Sequence, residues 1–235
     1  MTHDGRRRGL LAIDTATSQV VVATGSPDGE VDGISTWAAG HRQGETLLAG
    51  IGRLLGEQNL RRSRLVGVVV GTGPGAFTGL RVGIATAKGL AHALGIPLVG
   101  VSTAEALIDA ASAAPAANDD GATERIVLLL PAGPRDRLVV RRGVAPVALA
   151  AGIEPELAAG EALVAVDLDE RAPADAVARG HLARRGFGAA LVRAGALRLA
   201  AGGASELATL VPDYVTLPRG ARPSQGTVAW SRDHR

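Results

Sequence analysis

One stretch, between Val66 and Gly100, constrains the fold of this chain more than any other. An apolar strand predicted at residues 66–70 runs into the turn GTGPGAFTG at residues 71–79, and the turn opens a long helix. Four glycines in nine residues allow positive φ angles and close backbone approach that side chains would block. A strand, a tight turn and a helix in this order predict an α/β protein.

The glycine-rich turn also suggests an anion site, because such turns cradle anions at helix N-termini. The two common phosphate-binding patterns both fail here. A Walker loop ends in Gly-Lys-Ser/Thr, but the only lysine of the chain is Lys88, a full helix away. The dinucleotide fingerprint needs glycine where Thr78 stands. The spacing leaves a structural turn and a phosphate site open, and it favours the structural turn.

The helix after this turn carries a ladder of small residues. Gly79, Gly83 and Ala87 recur every four positions and therefore share one face. An adjoining apolar stripe contains Leu80 and Ile84. Two partly apolar faces predict that one packs on the protein's own sheet and the other meets a partner. Close packing of both within the protein is the alternative.

Composition restricts the chemistry. The chain has no cysteine, which excludes disulfides, thiolate metal sites and a cysteine nucleophile. None of the five histidines forms a His-x-x-x-His pair, so no metal site is predicted. His41, at a predicted helix start, is interpreted as a cap or surface residue rather than a base. No apolar run has the length of a signal peptide or a membrane span, and a cytoplasmic protein is expected.

Charge and aromatic content give little support for direct RNA binding by this chain alone. The net charge is +2, and the basic residues are scattered in twos and threes. Stacking on single-stranded RNA needs exposed aromatic side chains among such charges. The aromatic residues are isolated from one another in sequence: Trp37, Phe77, Phe187, Tyr214 and Trp230.

The order of predicted elements indicates a duplication. Residues 1–113 read as strands at 9–13, 19–23, 30–37 and 66–70 with helices at 45–58 and 79–94, and a third helix is capped by Ser102. Residues 114–123 are predicted to be a linker. Residues 124–235 repeat the pattern more weakly, with strands at 125–130, 137–142, 145–149 and 163–166 and helices at 152–160, 174–185 and 188–201. The last segment is expected to pack back on the first half.

Several motifs resemble the bacterial TsaB (YeaZ) family, which helps to make threonylcarbamoyladenosine in tRNA. The segment GPGAFTGLRVGIATAKGLA is similar to the family's hallmark, and LLAIDTAT at residues 10–17 resembles its opening strand and turn. HRQGETLL at residues 41–48, IPLVGVST at 96–103 and VPDYVTLP at 211–218 resemble further family segments. The Asp-Ala-Arg that the family carries in its second half is replaced by Pro131-Ala132-Gly133-Pro134-Arg135.

The resemblance implies a duplicated actin/Hsp70-like ATPase fold, of the ribonuclease H-like class, with a degenerate second half. It implies a non-catalytic subunit that pairs with the transferase TsaD, is joined by the ATPase TsaE, and reaches ANN-decoding tRNA through that complex. A homodimer is expected when TsaD is absent. The alternative is a stand-alone hydrolase or peptidase of the glycoprotease type.

Two sets of site residues follow from the resemblance together with the patterns above. No catalytic residue or cofactor of the chain's own is predicted, although ATP or ADP at the junction with the partner is left open. A vestigial nucleotide site is expected at Asp14, Thr15, Thr17, Gly73 and Gly75. For Asp14 the alternative is a cap of its own turn. The partner interface is expected at Leu47, Leu48, Ile51, Leu54, Gly79, Leu80, Gly83, Ile84 and Ala87.

Overall fold

The protein is represented by a computed structural model, which describes residues 7–39, 43–114 and 125–214. Three predictions fall wholly or partly outside these ranges: the role of His41, the linker predicted at 114–123 beyond its first residue, and the part of the closing motif beyond Tyr214. Within the described ranges, no helix is long and apolar enough to span a membrane.

The first half contains a five-stranded mixed sheet. Its strands are β1 (Gly9–Asp14), β2 (Gln19–Gly25), β3 (Val31–Ala38), β4 (Leu65–Gly71) and β5 (Leu98–Val101). They lie in the order β3-β2-β1-β4-β5. The first three strands pair as antiparallel hairpins, whereas β4 and β5 add in parallel to β1. All four strands predicted in this half are confirmed.

Helices cover both faces of this sheet, which explains why its strands other than the edge strand β3 are almost continuously apolar. Because side chains alternate along a strand, Leu11 and Ile13 of β1 point to one face and Ala12 points to the other. The first face packs on α1 (Gln43–Glu57) and α2 (Phe77–Leu94). The second face packs on α3 (Thr103–Ser112) and the last helix of the chain.

The second half repeats the first four strands in the same spatial order. Its sheet runs β8-β7-β6-β9, from β6 (Arg125–Pro131), β7 (Arg137–Val140), β8 (Val147–Leu149) and β9 (Glu161–Ala165). As before, the first three strands are antiparallel and the fourth is parallel to the first. In the described part of this half the fifth strand has no counterpart. The predicted duplicated fold with a degenerate second half is confirmed.

Two helix predictions in the second half are wrong. Residues 152–160 form a loop with positive φ at Gly152 and Gly160, and Pro155 lacks an N–H for helical bonding. The two helices predicted at 174–185 and 188–201 are one helix, α4 (Ala174–Ala200). Gly186 and Gly188 lie at the predicted break and do not interrupt this helix. At Gly188 the helix packs closely on Ile34 of β3.

The two halves share one hydrophobic core. Helix α4 starts beside β9 and then crosses the inner face of the first sheet, so that Phe187 and Leu191 lie in the same cluster as Ala12 and Leu128. The segment after α4 returns to the first half. There the Ser205 N–H donates to the Leu98 carbonyl at 2.7 Å.

Candidate functional site

Asp14, the last residue of β1, has both carboxylate oxygens engaged inside the protein. Its Oδ1 accepts a hydrogen bond from the Ala16 N–H at 2.8 Å, which closes an Asx turn. Its Oδ2 accepts a bond from the Thr103 hydroxyl at 2.6 Å. Thr103 Oγ1 in turn accepts the Gly73 N–H at 3.0 Å. The cap formed by Asp14 on its own turn is therefore confirmed, and the same carboxylate links this turn to the glycine-rich turn.

Burial controls the protonation of Asp14, whose side chain is fully shielded from solvent. Desolvation raises the pKa of Asp14 from 3.8 to about 6. Hydrogen bonds from the Thr103 hydroxyl and the Ala16 amide favour the carboxylate and limit the rise. The carboxylate is a structural bridge between two turns, and it has no face open to a ligand.

The glycines of the glycine-rich turn at residues 71–79 make room for the first turn, which follows β1 at residues 14–18. A Cβ atom at Gly71 would lie 1.7 Å from Asp14 Oδ2, and one at Gly75 would lie 2.3 Å from the Ala16 carbonyl oxygen. That carbonyl accepts the Ala76 N–H at 2.7 Å. The space that a phosphate would need beside these backbone groups is filled by residues 14–16, which favours the structural interpretation of the turn.

The remaining residues of the expected nucleotide site divide into two groups. Thr15 and Gly73 lie in the same buried cluster, where the Thr15 hydroxyl donates to the Gly79 carbonyl at 2.7 Å. Thr17 faces away, and its hydroxyl donates to the Gln19 carbonyl at 3.0 Å. The structure thus brings Asp14, Thr15, Gly73 and Gly75 together, with Thr17 outside the cluster.

The expected partner residues are mostly inside the protein. Eight of the nine are buried: Leu47, Ile51, Leu54, Gly79, Leu80, Gly83, Ile84 and Ala87. The small-residue ladder packs on the protein's own first turn, since a Cβ atom at Gly83 would lie 2.2 Å from Thr15 Oγ1. Only Leu48, which is 57% exposed, presents its side chain to solvent. These eight residues are therefore part of the protein's own interior.

An open groove of about 700 Å³ lies beside Leu48 on the outer face of α1 and α2. Gly52, Gly56 and Leu90 line it, and Arg61 and Arg62 follow at the end of α1. Glycines at 52 and 56 have open space where a Cβ would stand. The helix surface is therefore flat at these positions and open to a second backbone.

Sequence reasoning missed a polar bridge between the two halves. The Ser18 N–H donates to Asp167 Oδ2 at 2.7 Å, and the Ser18 hydroxyl donates to Oδ1. Arg184 of α4 forms an ion pair with the same carboxylate, and desolvation lowers its pKa. Asp167 lies just after an apolar strand and Asp14 ends one, and this parallel was the signal available in the sequence. The bridge joins the two halves.

The segment after α4 contributes a second missed set of contacts. The Thr72 hydroxyl donates to Asp213 Oδ2 at 2.7 Å, and the Asp213 N–H donates to the Thr72 carbonyl at 2.8 Å. Arg81 Nε donates to the Tyr214 hydroxyl at 3.0 Å. Residues 201–214 therefore cover the side of the glycine-rich turn that faces away from Asp14.

The described residues contain no group of three or more His, Cys, Asp or Glu side chains that could hold a metal ion. His92 and His181 are exposed, and the latter lies 3.4 Å from Asp169 Oδ1. The polar side chains that the sequence singled out, those of Asp14, Thr15 and Thr17, form hydrogen bonds within the protein.

Comparisons with known proteins connect this geometry to one family. The family model of TsaD, described as tRNA N6-adenosine threonylcarbamoyltransferase, matches residues 29–167, which is more than half of the chain. The solved structure of YeaZ from Pseudomonas aeruginosa has a TM-score of 0.63 at 25% identity, covering 88% of this chain and 100% of that one. The resemblance inferred from the sequence motifs is confirmed.

Curated relatives match part of the chain at higher identity. The TsaB protein of Escherichia coli, described as a tRNA threonylcarbamoyladenosine biosynthesis protein, is 37% identical over 95 residues, 40% of this chain and 40% of its own length. An uncharacterized protein of Mycobacterium leprae is 42% identical over 103 residues, which are 42% of this chain and 28% of that protein. The matched part spans less than half the length of either relative.

Proposed function

Because the chain belongs to the TsaD family, we propose that it is the TsaB-type member, a non-catalytic subunit in the synthesis of threonylcarbamoyladenosine in tRNA. It pairs with the transferase TsaD, supports its active form, and works beside the ATPase TsaE. The modified base is the adenosine next to the anticodon of ANN-decoding tRNAs. The protein acts in the cytoplasm, where such tRNAs are found.

The observation that carries this proposal is the closed polar cluster around Asp14. In an enzyme of this fold the first turn and the glycine-rich turn would offer polar groups to a substrate. Here the carboxylate of Asp14 and the hydroxyls of Thr15 and Thr103 bond to the protein itself. Such an arrangement stabilises a scaffold and leaves the chemistry to a partner.

The groove on the outer face of α1 and α2 supports the partner part of the proposal. Leu48 is exposed beside Leu90, and glycines at 52 and 56 allow a second helix to approach closely. TsaD occupies this groove in the complex, and a second copy of the chain occupies it when TsaD is absent. The chain needs no nucleotide of its own, and any ATP or ADP binds at the junction with the partner.

A stand-alone hydrolase or peptidase was the alternative from the sequence. It requires a nucleophile, a base and an oxyanion site close together. The Ser18 hydroxyl contacts Asp167 and Arg184, which makes an ion-paired bridge rather than a nucleophile with a base. The geometry gives this alternative no specific support.

Reconstitution tests the proposal. Unmodified tRNA is incubated with TsaD, TsaE, ATP and threonylcarbamoyl-adenylate, with and without this protein. We expect modification only when the protein is present, and no transfer or peptide hydrolysis by the protein alone. Full activity in its absence, or turnover by the protein by itself, would show that the subunit assignment is wrong.

A matched pair of variants tests the groove. Leu48→Asp places a charge in the proposed contact, and burying an unpaired charge is costly. We expect at least about tenfold weaker binding to TsaD, which corresponds to about 1.4 kcal/mol. Leu197→Asp changes an even more exposed leucine, 73% against 57% for Leu48, on α4 across the sheet, and should bind TsaD like the wild type. Equal affinities of the two variants would contradict the groove assignment.

A further inference from the structure

Two of the aromatic residues that are isolated in sequence meet in the folded protein. The ring centroids of Phe77, the first residue of α2, and Tyr214 lie 5.0 Å apart with the planes tilted by 32°. The guanidinium of Arg81 lies over the Phe77 ring, 3.8 Å from its centroid, and 6.0 Å from that of Tyr214. Arg81 and Tyr214 are 133 positions apart in the chain. The fold therefore assembles a cation and two π-faces that the sequence keeps separate.

We propose that Phe77, Arg81 and Tyr214 form a stacking platform for an unpaired nucleotide of RNA. Aromatic rings and the flat guanidinium group both stack on nucleobases, and the positive charge attracts the neighbouring phosphate. Tyr214 is 39% exposed and Arg81 is exposed, so both are accessible to a base. The inference rests on the proposed function for the source of the RNA, which is tRNA with an open anticodon loop.

The platform is held in place before any ligand arrives. The residue before Tyr214, Asp213, is fixed to Thr72 by two hydrogen bonds of 2.7 and 2.8 Å. The Tyr214 hydroxyl itself accepts the Arg81 Nε–H at 3.0 Å. Rings and charge that are already ordered lose little conformational freedom on binding, which favours recognition of a flat base.

The local charge favours RNA over an acidic or neutral protein segment. The first turn of α2, where Phe77 stands, contains no acidic residue. The carboxylate of Asp213 accepts the Thr72 hydroxyl, so part of its hydrogen-bonding capacity is used within the protein. Within the described part of the chain, Arg81 places a positive charge beside the rings, where it attracts a phosphate next to a stacked base.

The test uses the full chain and a short RNA hairpin whose loop is the unmodified anticodon loop of an ANN-decoding tRNA. Binding is followed by fluorescence anisotropy at low ionic strength, because phosphate contacts weaken with salt. The wild type should bind the hairpin more tightly than a fully paired duplex of the same composition. Tyr214→Phe keeps the ring and should bind within about twofold of the wild type, whereas Tyr214→Leu loses the π-face and should bind about tenfold more weakly.

Controls separate stacking from charge and from folding. Arg193→Ala removes an exposed arginine from α4, on the opposite side of the first sheet, and should leave hairpin binding unchanged. Tyr214→Leu should keep the thermal unfolding midpoint and the TsaD affinity of the wild type. No hairpin binding by the wild type, or equal binding by the Phe and Leu variants, overturns the platform. Neither result affects the reconstitution test, so failure of this inference is distinguishable from failure of the proposed function.

Discussion

Asp14 lies at the end of a buried strand and joins two turns that are far apart in the sequence. Its partner Thr103 is 89 positions away and begins α3. A carboxylate at this place gains two hydrogen bonds but loses its hydration, and desolvation is the larger of the two effects on its pKa. The protonated form of Asp14 is thus relatively favoured in the folded protein, and stability depends on pH.

The pKa of Asp14 predicts the direction of that dependence. Because the folded pKa, about 6, lies above the unfolded value of 3.8, the folded state binds the extra proton. The stabilisation is complete below about pH 4 and is lost as the pH rises through about 6. It amounts to at most about 3 kcal/mol, since one pKa unit corresponds to about 1.4 kcal/mol.

Chemical denaturation of the wild type and of Asp14→Asn across this range measures the effect. The difference in unfolding free energy between them should shift in favour of the wild type as the pH falls. Asn cannot titrate, so its own profile lacks this contribution. Parallel profiles for the two proteins would show that Asp14 does not carry the pH dependence.

At the scale of elements, the sequence predicted those features that depend on residues close together in the chain. The strands of the first half and the Ser102 cap follow from alternation and from side-chain chemistry, and the Glu105 N–H does donate to Ser102 Oγ at 3.3 Å. The single helix α4 could not be predicted in this way. Its glycines resemble breaks, but Gly180 and Gly195 permit contacts with Ala165 and Val69 that come from distant parts of the chain.

The candidate site shows the same division between local and distant information. The sequence left two interpretations of residue 14, a nucleotide site and a cap of its own turn, and the cap was foreseeable because that bond spans only two residues. It could not show that Thr15 fills the space beside Gly83, or that Tyr214 returns to Arg81, since these pairs depend on how the sheet and helices assemble. The ladder on α2 was visible, but its partner was the protein's own first turn.

Two glycines of α2 provide a direct test of that packing. Gly83→Ala would place a Cβ atom 2.2 Å from Thr15 Oγ1, so one of the two segments must shift. We expect a loss of about 1–3 kcal/mol in the free energy of unfolding. Gly89→Ala meets open space on the same helix and should gain up to about 1 kcal/mol, because alanine is the better helix former.

Urea denaturation of both variants at neutral pH provides the measurement. The comparison controls for helix propensity, since both substitutions replace glycine by alanine in α2. If Gly83→Ala were as stable as Gly89→Ala, the ladder would not be packed on the first turn, and the interpretation of this face as a partner surface would return.

At the scale of the whole molecule, the two halves are joined by a shared apolar core and by polar bridges at its edge. Side chains of β1, β6 and α4 belong to one cluster, so neither half buries its inner face alone. Asp167 joins the halves by contacting Ser18 in the first half and Arg184 in α4. The halves would have to move apart for a ligand to enter between them, and the bridge opposes that movement.

Two ion pairs with different exposure, one that contacts Ser18 of the first half and one that joins α3 to the second half, test how strongly the halves are held together. The side chains of Asp167 and Arg184 are only 13% and 15% exposed. Asp167→Ala leaves the guanidinium without its anion in a poorly hydrated place, and we expect a loss of about 2–3 kcal/mol in unfolding free energy. Asp109 and Arg142 also join the two halves, but their side chains are 43% and 57% exposed. Asp109→Ala should therefore cost less than about 1 kcal/mol.

Thermal and urea unfolding of these variants measure the difference, and a second substitution identifies its origin. Adding Arg184→Met to Asp167→Ala removes the unpaired charge while keeping apolar volume beside α4, so the double variant should recover part of the lost stability. Such recovery means that the cost comes from an uncompensated charge where the halves meet. If Asp167→Ala and Asp109→Ala proved equally mild, the bridge would contribute no more than a surface pair, and the shared core alone would hold the halves together.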